Sequence, residues 1–427
     1  MKFEELKAKI RESFPDEGTA ARLAIADPGK ERERYLSLFD KYEKQYGTAG
    51  DLSLYSVGGR SEISGNHTDH NHGRVIAASV NLDIIALASP SDDGVIRIKS
   101  EGFDEDVVTE KDSESPDPGK FYTSAAIIAG MRRAFENAGH RVGGFTAYTT
   151  SNVLKGSGVS SSAAFEVMVG NILNHLYCGG EVSGVEIAKM AQWSENVFFG
   201  KPCGLMDQTA CAVGGFITID FLDPAKPVIE ALDFDLNARG YSLCVVNTGG
   251  NHADLNEDYA SVPREMKEVA SFLGGEVMRG FTTDDVVAKV SELREKCGDR
   301  AILRALHFIG ENNRVGEQVE AIKRGDLDGF LAGVTESGNS SFKYLQNVYT
   351  TQNVKEQGLS LALCLSDNFL RGKRAAHRVH GGGFAGTIQA FVPIADAAEY
   401  KKLMDSVFGD GACYILSVRP AGAVRVI

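Results

Sequence analysis

The segment that most constrains this chain is Lys155-Gly156-Ser157-Gly158-Val159-Ser160-Ser161-Ser162-Ala163-Ala164, followed by apolar residues at Phe165, Met168, Val169, Ile172 and Leu176. Spacings of three and four predict an amphipathic helix that opens at the serines and buries one face. Glycines bring bare backbone N–H groups close to a ligand, and a helix start presents its positive end there. The loop therefore suits a phosphate cradle, with a serine N-cap and a flexible approach as the plainer alternative.

Two other glycine patterns are excluded as nucleotide signatures. Gly381, Gly383 and Gly386 satisfy G-x-G-x-x-G, but the chain continues as TIQAFVPI, an alternating strand where a dinucleotide fingerprint needs a helix. No Gly-Lys pair (Gly29-Lys30, Gly119-Lys120, Gly200-Lys201, Gly372-Lys373) is followed by Ser or Thr, which rules out a Walker loop.

Charge and cysteine usage narrow the class further. With 45 Lys plus Arg against 58 Asp plus Glu, the net charge of −13 disfavours nucleic acid and anionic membranes as partners. Seven cysteines without a C-x-x-C pair read as reduced thiols of a cytoplasmic protein. The N-terminus has no apolar run behind its basic residues, and Asn81 and Asp83 interrupt the longest apolar stretch. No signal peptide or membrane span is expected.

The chain reads as a two-lobed, mixed α/β (α+β) protein with a helical extension over 1–35, a first domain over 36–225 and a second over 226–427. The boundary is placed at the Asp/Pro-containing stretch Phe221–Pro227. From Tyr55 a glycine-containing turn is expected to lead into the strand RVIAASVNLDIIALASP. Helices are expected to end at Gly139 and near Gly200, and TACAVGGFITIDF to return to strand. The second half opens with the strand SLCVVNT and turns helical, with Val262, Met266 and Val269 on one face and Val315, Val319 and Ile322 on another. TIQAFVPI and CYILSVRP close it as strands.

Two polar segments remain. Gly59-Arg60 through Asn66-His67-Thr68-Asp69-His70-Asn71-His72-Gly73 precedes a hydrophobic strand; its histidines lack the cysteine or H-E-x-x-H context of a zinc site. Its density of donors and acceptors suits a carbohydrate. In Cys203-Gly204-Leu205-Met206-Asp207-Gln208 an aspartate sits between apolar residues, as a turn cap or as a functional group.

These segments, in this order, resemble the GHMP small-molecule kinases and, within them, the galactokinases. The family's first motif is met at Gly59, Arg60, Gly65, His67, Asp69 and Gly73, and it departs at Gly58, Glu62-Ile63-Ser64, Asn66 and His70. LKGSGVSSSAAFEV is similar to the family's ATP phosphate loop, and HGGGFAG to its third motif. CGLMDQ, NTGGNHADLNEDY and HFIGENNRVGEQVEAIKRGDL also read like a galactokinase.

The resemblance implies a GHMP-kinase-type fold with its active site between the lobes, and ATP-dependent phosphorylation of the anomeric hydroxyl of galactose. It implies Asp207 and Arg60 as the catalytic pair, and Asn66, His67, Asp69, Gly204 and Tyr259 as sugar contacts. Gly156, Ser157, Gly158, Ser160, Ser161 and Ser162 would cradle the ATP phosphates, and Ser162 and Glu195 would hold Mg²⁺. A monomer or weak homo-oligomer is expected. Asn66, standing where the family has a glutamate, motivates galacturonate as an alternative substrate. N-Acetylgalactosamine, or a non-catalytic galactose and ATP sensor, are further alternatives.

Overall fold

The structure, a computed structural model, describes residues 1–103, 107–109, 115–153, 158–201, 203–250 and 255–427. Three helices open the chain: α1 (Phe3–Ser13), α2 (Glu17–Leu23) and α3 (Pro28–Tyr46). Asp16 and Asp27 cap the second and third by accepting the N–H groups of Thr19 and Lys30. These bonds satisfy donors that a helix start otherwise leaves orphaned.

The chain continues through β1 (Ser53–Ser64), β2 (Arg74–Ser91), β3 (Ile96–Ser100), β4 (Val107–Thr109), α4 (Ser124–Asn137) and β5 (Gly144–Ser151). Next come α5 (Ser161–Tyr177), α6 (Gly184–Ser194), α7 (Met206–Val213), β6 (Phe216–Asp220) and β7 (Val228–Leu232). The second half holds β8 (Tyr241–Asn247), α8 (Asn256–Phe272), α9 (Thr283–Ala288), α10 (Val290–Lys296), α11 (Asp299–Lys323) and α12 (Leu327–Ser340). It closes with α13 (Gly358–Leu370), β9 (Ala376–His380), β10 (Thr387–Pro393), α14 (Ile394–Phe408), β11 (Cys413–Leu416) and β12 (Val424–Arg425). Single π-helical turns, Glu195–Phe199 and Ser341–Leu345, follow α6 and α12.

Among the described residues two sheets form. The first runs β12-β1-β2-β5-β3-β4, with β6 on the first half of β2 and β7 beyond it. Only β3 and β5 pair in parallel here. Side chains alternate across a strand, so β1 and β2 serve two cores at once. Tyr55, Val57, Ile84 and Ala86 face a core shared with α4 to α7, whereas Leu54, Ile85 and Leu87 face Phe3, Leu6, Ile10, Leu38 and Phe39 of α1 and α3. Residues 1–35 are thus packed against the first sheet. Arg34 seals that contact by donating to Asp83 at 2.6 Å.

The second sheet, β11-β8-β10-β9, is antiparallel. Its strand β8 alternates likewise: Leu243 and Val245 join the central core, while Cys244 and Val246 face a separate core under α13 and α14. The central core therefore runs unbroken between the two sheets. Pairing of β6 with β7 carries the first sheet past Pro227 to Leu232, and β12 returns to pair with β1.

Two local expectations are corrected. The segment TACAV lies in α7, not in a strand; short apolar runs do not distinguish a buried helix from a buried strand. The glycine pair near Tyr55 lies inside β1, not in a turn. A Cβ on Gly58 would sit 2.6 Å from the Val80 carbonyl oxygen, and one on Gly59 equally close to that of Val159. Close backbone approach, not chain reversal, is what these glycines permit.

Candidate active site

The approach at Gly59 sets the site. The Arg60 N–H donates to Val159 O at 3.0 Å, tying β1 to the loop before α5. The buried guanidinium then reaches α7, donating from Nε to Asp207 Oδ1 at 2.7 Å and from Nη2 to Asp207 Oδ2 at 2.9 Å. A third bond goes from Nη1 to the carbonyl of Gly158. This two-pronged ion pair fixes both side chains in orientation as well as position.

Asp207 lies in the first turn of α7, and its Oδ2 also accepts the Ser160 hydroxyl. Burial works to raise its pKa. The Arg60 charge and hydrogen bonds, helped by Ser160, overcome that and hold the carboxyl below its ordinary range. The side chain keeps 32% exposure, so the anion faces open space.

That space is a cavity of about 160 Å³ lined by Asp69, Ser162, Glu195, Lys201, Cys203, Gly204, Met206, Asp207 and Gln208. Five residues expected from sequence thus meet around one void: Asp69, Ser162, Glu195, Gly204 and Asp207. A larger cavity of about 730 Å³, between β6, β7 and α11, contains none of them. Convergent chemistry, not volume, identifies the site.

On the sugar-loop side, a Cβ on Gly204 would lie 2.7 Å from Asp69 Oδ2, so only glycine leaves that carboxylate its position. His67 adopts a left-handed backbone with φ +58°. Its Nε2 lies 2.9 Å from Gly382 O, which requires Nε2 to carry the proton and leaves Nδ1 as an acceptor. That Nδ1 is buried without a partner. Burial, with His70 nearby, pushes the ring's pKa down to about 4, so His67 is neutral near pH 7.

Two of the expected sugar contacts have their polar groups held by the protein. Asn66 is fully buried, and protein groups engage its whole amide. Its Nδ2 donates to Glu62 Oε1 at 3.0 Å and to Gly381 O at 2.6 Å, while Oδ1 accepts from Ser341 Oγ at 3.1 Å and Asn347 Nδ2 at 2.8 Å. Tyr259 donates its hydroxyl to Gly383 O at 2.8 Å and packs edge-on against Phe384. Both residues brace the Gly381–Gly383 turn.

In the glycine-serine loop, Gly156 and Ser157 lie outside the described residues. Gly158 and Ser160 are left-handed, at φ +73° and +54°. A Cβ on Gly158 would come within 2.4 Å of Thr387 Oγ1 and 3.1 Å of His380 Nδ1, so the glycine-serine loop packs against the ends of the HGGGFAG turn there. Ser160 is the N-cap of α5, which puts Ser161 and Ser162 in its first turn with the helix N–H groups and positive end. Strained backbone at Ser160 and His67, each within two residues of a group that lines the cavity, Ser162 and Asp69, is the pattern of functional sites.

Ser162 and Glu195 offer oxygen atoms only, which suits Mg²⁺; two protein ligands suffice when phosphates and water complete the shell. Among the described residues no group of three or more His, Cys, Asp or Glu side chains could hold a metal alone. Behind Glu195, Gln208 Nε2 donates to Glu195 Oε2 at 2.8 Å and to Glu166 Oε2 at 3.1 Å. Burial, then the neighbouring Glu195, pushes Glu166 up to about 8, so it is mainly neutral at pH 7.

A supporting tier has only a partial signal in the sequence. Glu311 of α11 accepts from the N–H groups of Gly65 and Asn66 at 3.0 and 3.3 Å and from Ser337 Oγ at 2.6 Å. His307, one turn earlier, bonds Asn66 O at 3.0 Å. Their separation of four on one helix face is visible in the chain, but their target is not.

The matches to known proteins follow this geometry. The description GHMP kinases N terminal domain fits residues 125–215, which contain α5, Glu195 and Asp207. The galactokinase galactose-binding signature fits residues 40–90, which contain Arg60, His67 and Asp69. A galactokinase of Streptomyces coelicolor is 29% identical over 395 residues, 91% of this chain and 97% of its own. A galactokinase of Actinobacillus pleuropneumoniae serotype 3 is 30% identical over 359 residues, 83% of this chain and 88% of its own. The chain belongs to the galactokinase family. Lactococcus lactis galactokinase complexed with galactose shares the fold with a TM-score of 0.76 at 22% identity, over 92% of this chain and 100% of that one. Methanococcus jannaschii mevalonate kinase shares it at 0.61 and 12% identity, over 86% and 99%.

Proposed function

We propose that this protein transfers the γ-phosphoryl group of ATP to the anomeric hydroxyl of galactose, giving galactose 1-phosphate and ADP. The observation that carries the reading is the Arg60–Asp207 pair, which opens onto one cavity with Asp69 and with Ser162 at the start of α5.

In such a transfer the sugar oxygen bonds to phosphorus, the bond from phosphorus to the β,γ-bridging oxygen breaks, and ADP leaves with that electron pair. Asp207 orients the hydroxyl and takes its proton; it stands ready as an anion because Arg60 and Ser160 stabilise that form. Arg60 also offsets charge on the moving phosphoryl group. Asp69 accepts from sugar hydroxyls, His67 Nδ1 supplies an acceptor beside it, and Gly204 leaves room for the ring. Gly158, Ser160, Ser161, Ser162 and the α5 N–H groups hold the phosphates, with Gly156 and Ser157 assigned to the same cradle. Ser162 and Glu195 would hold Mg²⁺, which would supply neutralisation of the phosphate charge.

An intact reaction centre supports catalysis over a sensor role. The case for galacturonate rested on a charge removed at position 66, and Asn66 is sealed beneath the loop, so galactose is the substrate of choice. Unpaired thiols at all seven cysteines suit the cytoplasm. The test is ADP release measured over galactose, galacturonate, N-acetylgalactosamine, glucose and arabinose, with identification of the product. Faster turnover of another sugar than of galactose would replace the substrate named here.

A further inference from the structure

Lys201 lines the cavity with Asp207 and Ser162 and has no part in the assignments above. Its Nζ lies 3.2 Å from Glu195 Oε1. The lysine side chain is 56% exposed and the carboxylate 4%, so an ammonium reaches inward from the rim to a buried anion. The other Glu195 oxygen accepts from Gln208 at 2.8 Å. Both oxygens are therefore engaged by protein donors, and a cation that coordinates Glu195 must displace one of them or crowd against it.

The two donors differ in freedom. Gln208 is 1% exposed and held on a second side by Glu166. Lys201 is a point charge on a flexible four-carbon stem at the rim. Lys201 is the group that can leave. Asp207 already accepts two bonds from Arg60 and one from Ser160, and its open side is taken by the sugar hydroxyl in the reading above. The strong acceptor that arrives together with Mg²⁺ is the terminal phosphate.

We propose that Lys201 is a further catalytic residue, a cation that neutralises Glu195 in the nucleotide-free site and moves to the terminal phosphoryl group of ATP when Mg²⁺ takes that carboxylate. The proposal rests on the kinase reading above. It makes Lys201 a partner of Arg60: one cation sits beside the accepting hydroxyl and the other beside the group in flight.

The test uses the full-length protein with Lys201→Met and Lys201→Arg, and titrates Mg·ATP and Mg·ADP separately by calorimetry without sugar. Lys201→Met is expected to weaken ATP binding about tenfold and ADP binding less than about twofold, because only ATP carries the contacted group. Turnover is expected to fall on the order of 10- to 100-fold with little change in the galactose KM, and Lys201→Arg to recover most of both. Equal effects on ATP and ADP, or no effect on either, would overturn the proposal and leave Lys201 as a counter-ion of Glu195. If the wild-type protein releases no ADP with any sugar, the kinase reading fails; the ATP-over-ADP comparison still decides the role of Lys201.

Discussion

Arg60 and Asp207, 147 positions apart in the chain, are joined by two hydrogen bonds of 2.7 and 2.9 Å that use both carboxylate oxygens. The pairing orders a carboxylate and its counter-charge before any substrate arrives, as the proposed reaction requires of its base. Little reorganisation is then left for the reaction step.

The role of Asp207 predicts the first outcome. Asp207→Asn keeps the shape and removes the anion, so turnover is expected to fall by at least ~10²-fold while ATP affinity stays nearly constant. Steady-state kinetics with a nucleotide-binding titration checks it. Turnover close to wild type would remove Asp207 from the mechanism.

Glu311 predicts a pH dependence of stability. Burial works to raise its carboxyl; His307, Arg378, Arg314 and the Ser337 hydrogen bond outweigh that and hold it at about 2. A free glutamate titrates near ~4.3. The folded value is the lower one, so the stabilisation is fully present above ~4.3 and is lost as pH falls through about 2. Glu311→Gln is expected to cost roughly 3 kcal/mol at pH 7, and the gap to wild type to narrow as pH falls from ~4 toward ~2. Urea titrations at several pH values measure this, and a gap independent of pH would contradict it.

Asn66 predicts coupled effects on folding and sugar binding. Asn66→Asp puts a second carboxylate beside Glu62 and removes the donor to Gly381 O. A loss of about 2–4 kcal/mol is expected, with a rise in the galactose KM larger than that for ATP, because the loop bearing His67 and Asp69 loses its anchor. Thermal unfolding paired with kinetics checks both. An unaltered melting temperature would show that the buried amide is dispensable.

The opening helices predict an intolerance to truncation. Removing residues 1–35 uncovers Leu54, Ile85 and Leu87 on the first sheet and breaks the Arg34 contact with Asp83. Such a sheet face is expected to aggregate, so the shortened chain should be recovered mainly as insoluble protein. A soluble product with a wild-type melting temperature would mark those helices as a true appendage.

Local patterns in the chain predicted the helix after the serines, the strands β8 and β10 and the apolar faces of α8 and α11, because each depends on residues only a few positions apart. The motifs also named Asp69, Ser162, Glu195, Gly204 and Asp207, whose functional groups converge on one cavity. Three-dimensional packing alone settled the rest. Asn66 and Tyr259 have side chains suited to a sugar, yet each is engaged by the Gly381–Gly383 turn, more than a hundred residues away in sequence. The anchoring of the loop bearing His67 and Asp69 by Glu311 likewise depends on distances between separate helices and loops. Composition and spacing determine which groups are present and which local structures they favour; whether a polar group faces a ligand or another part of the protein is decided only when distant backbone closes around it.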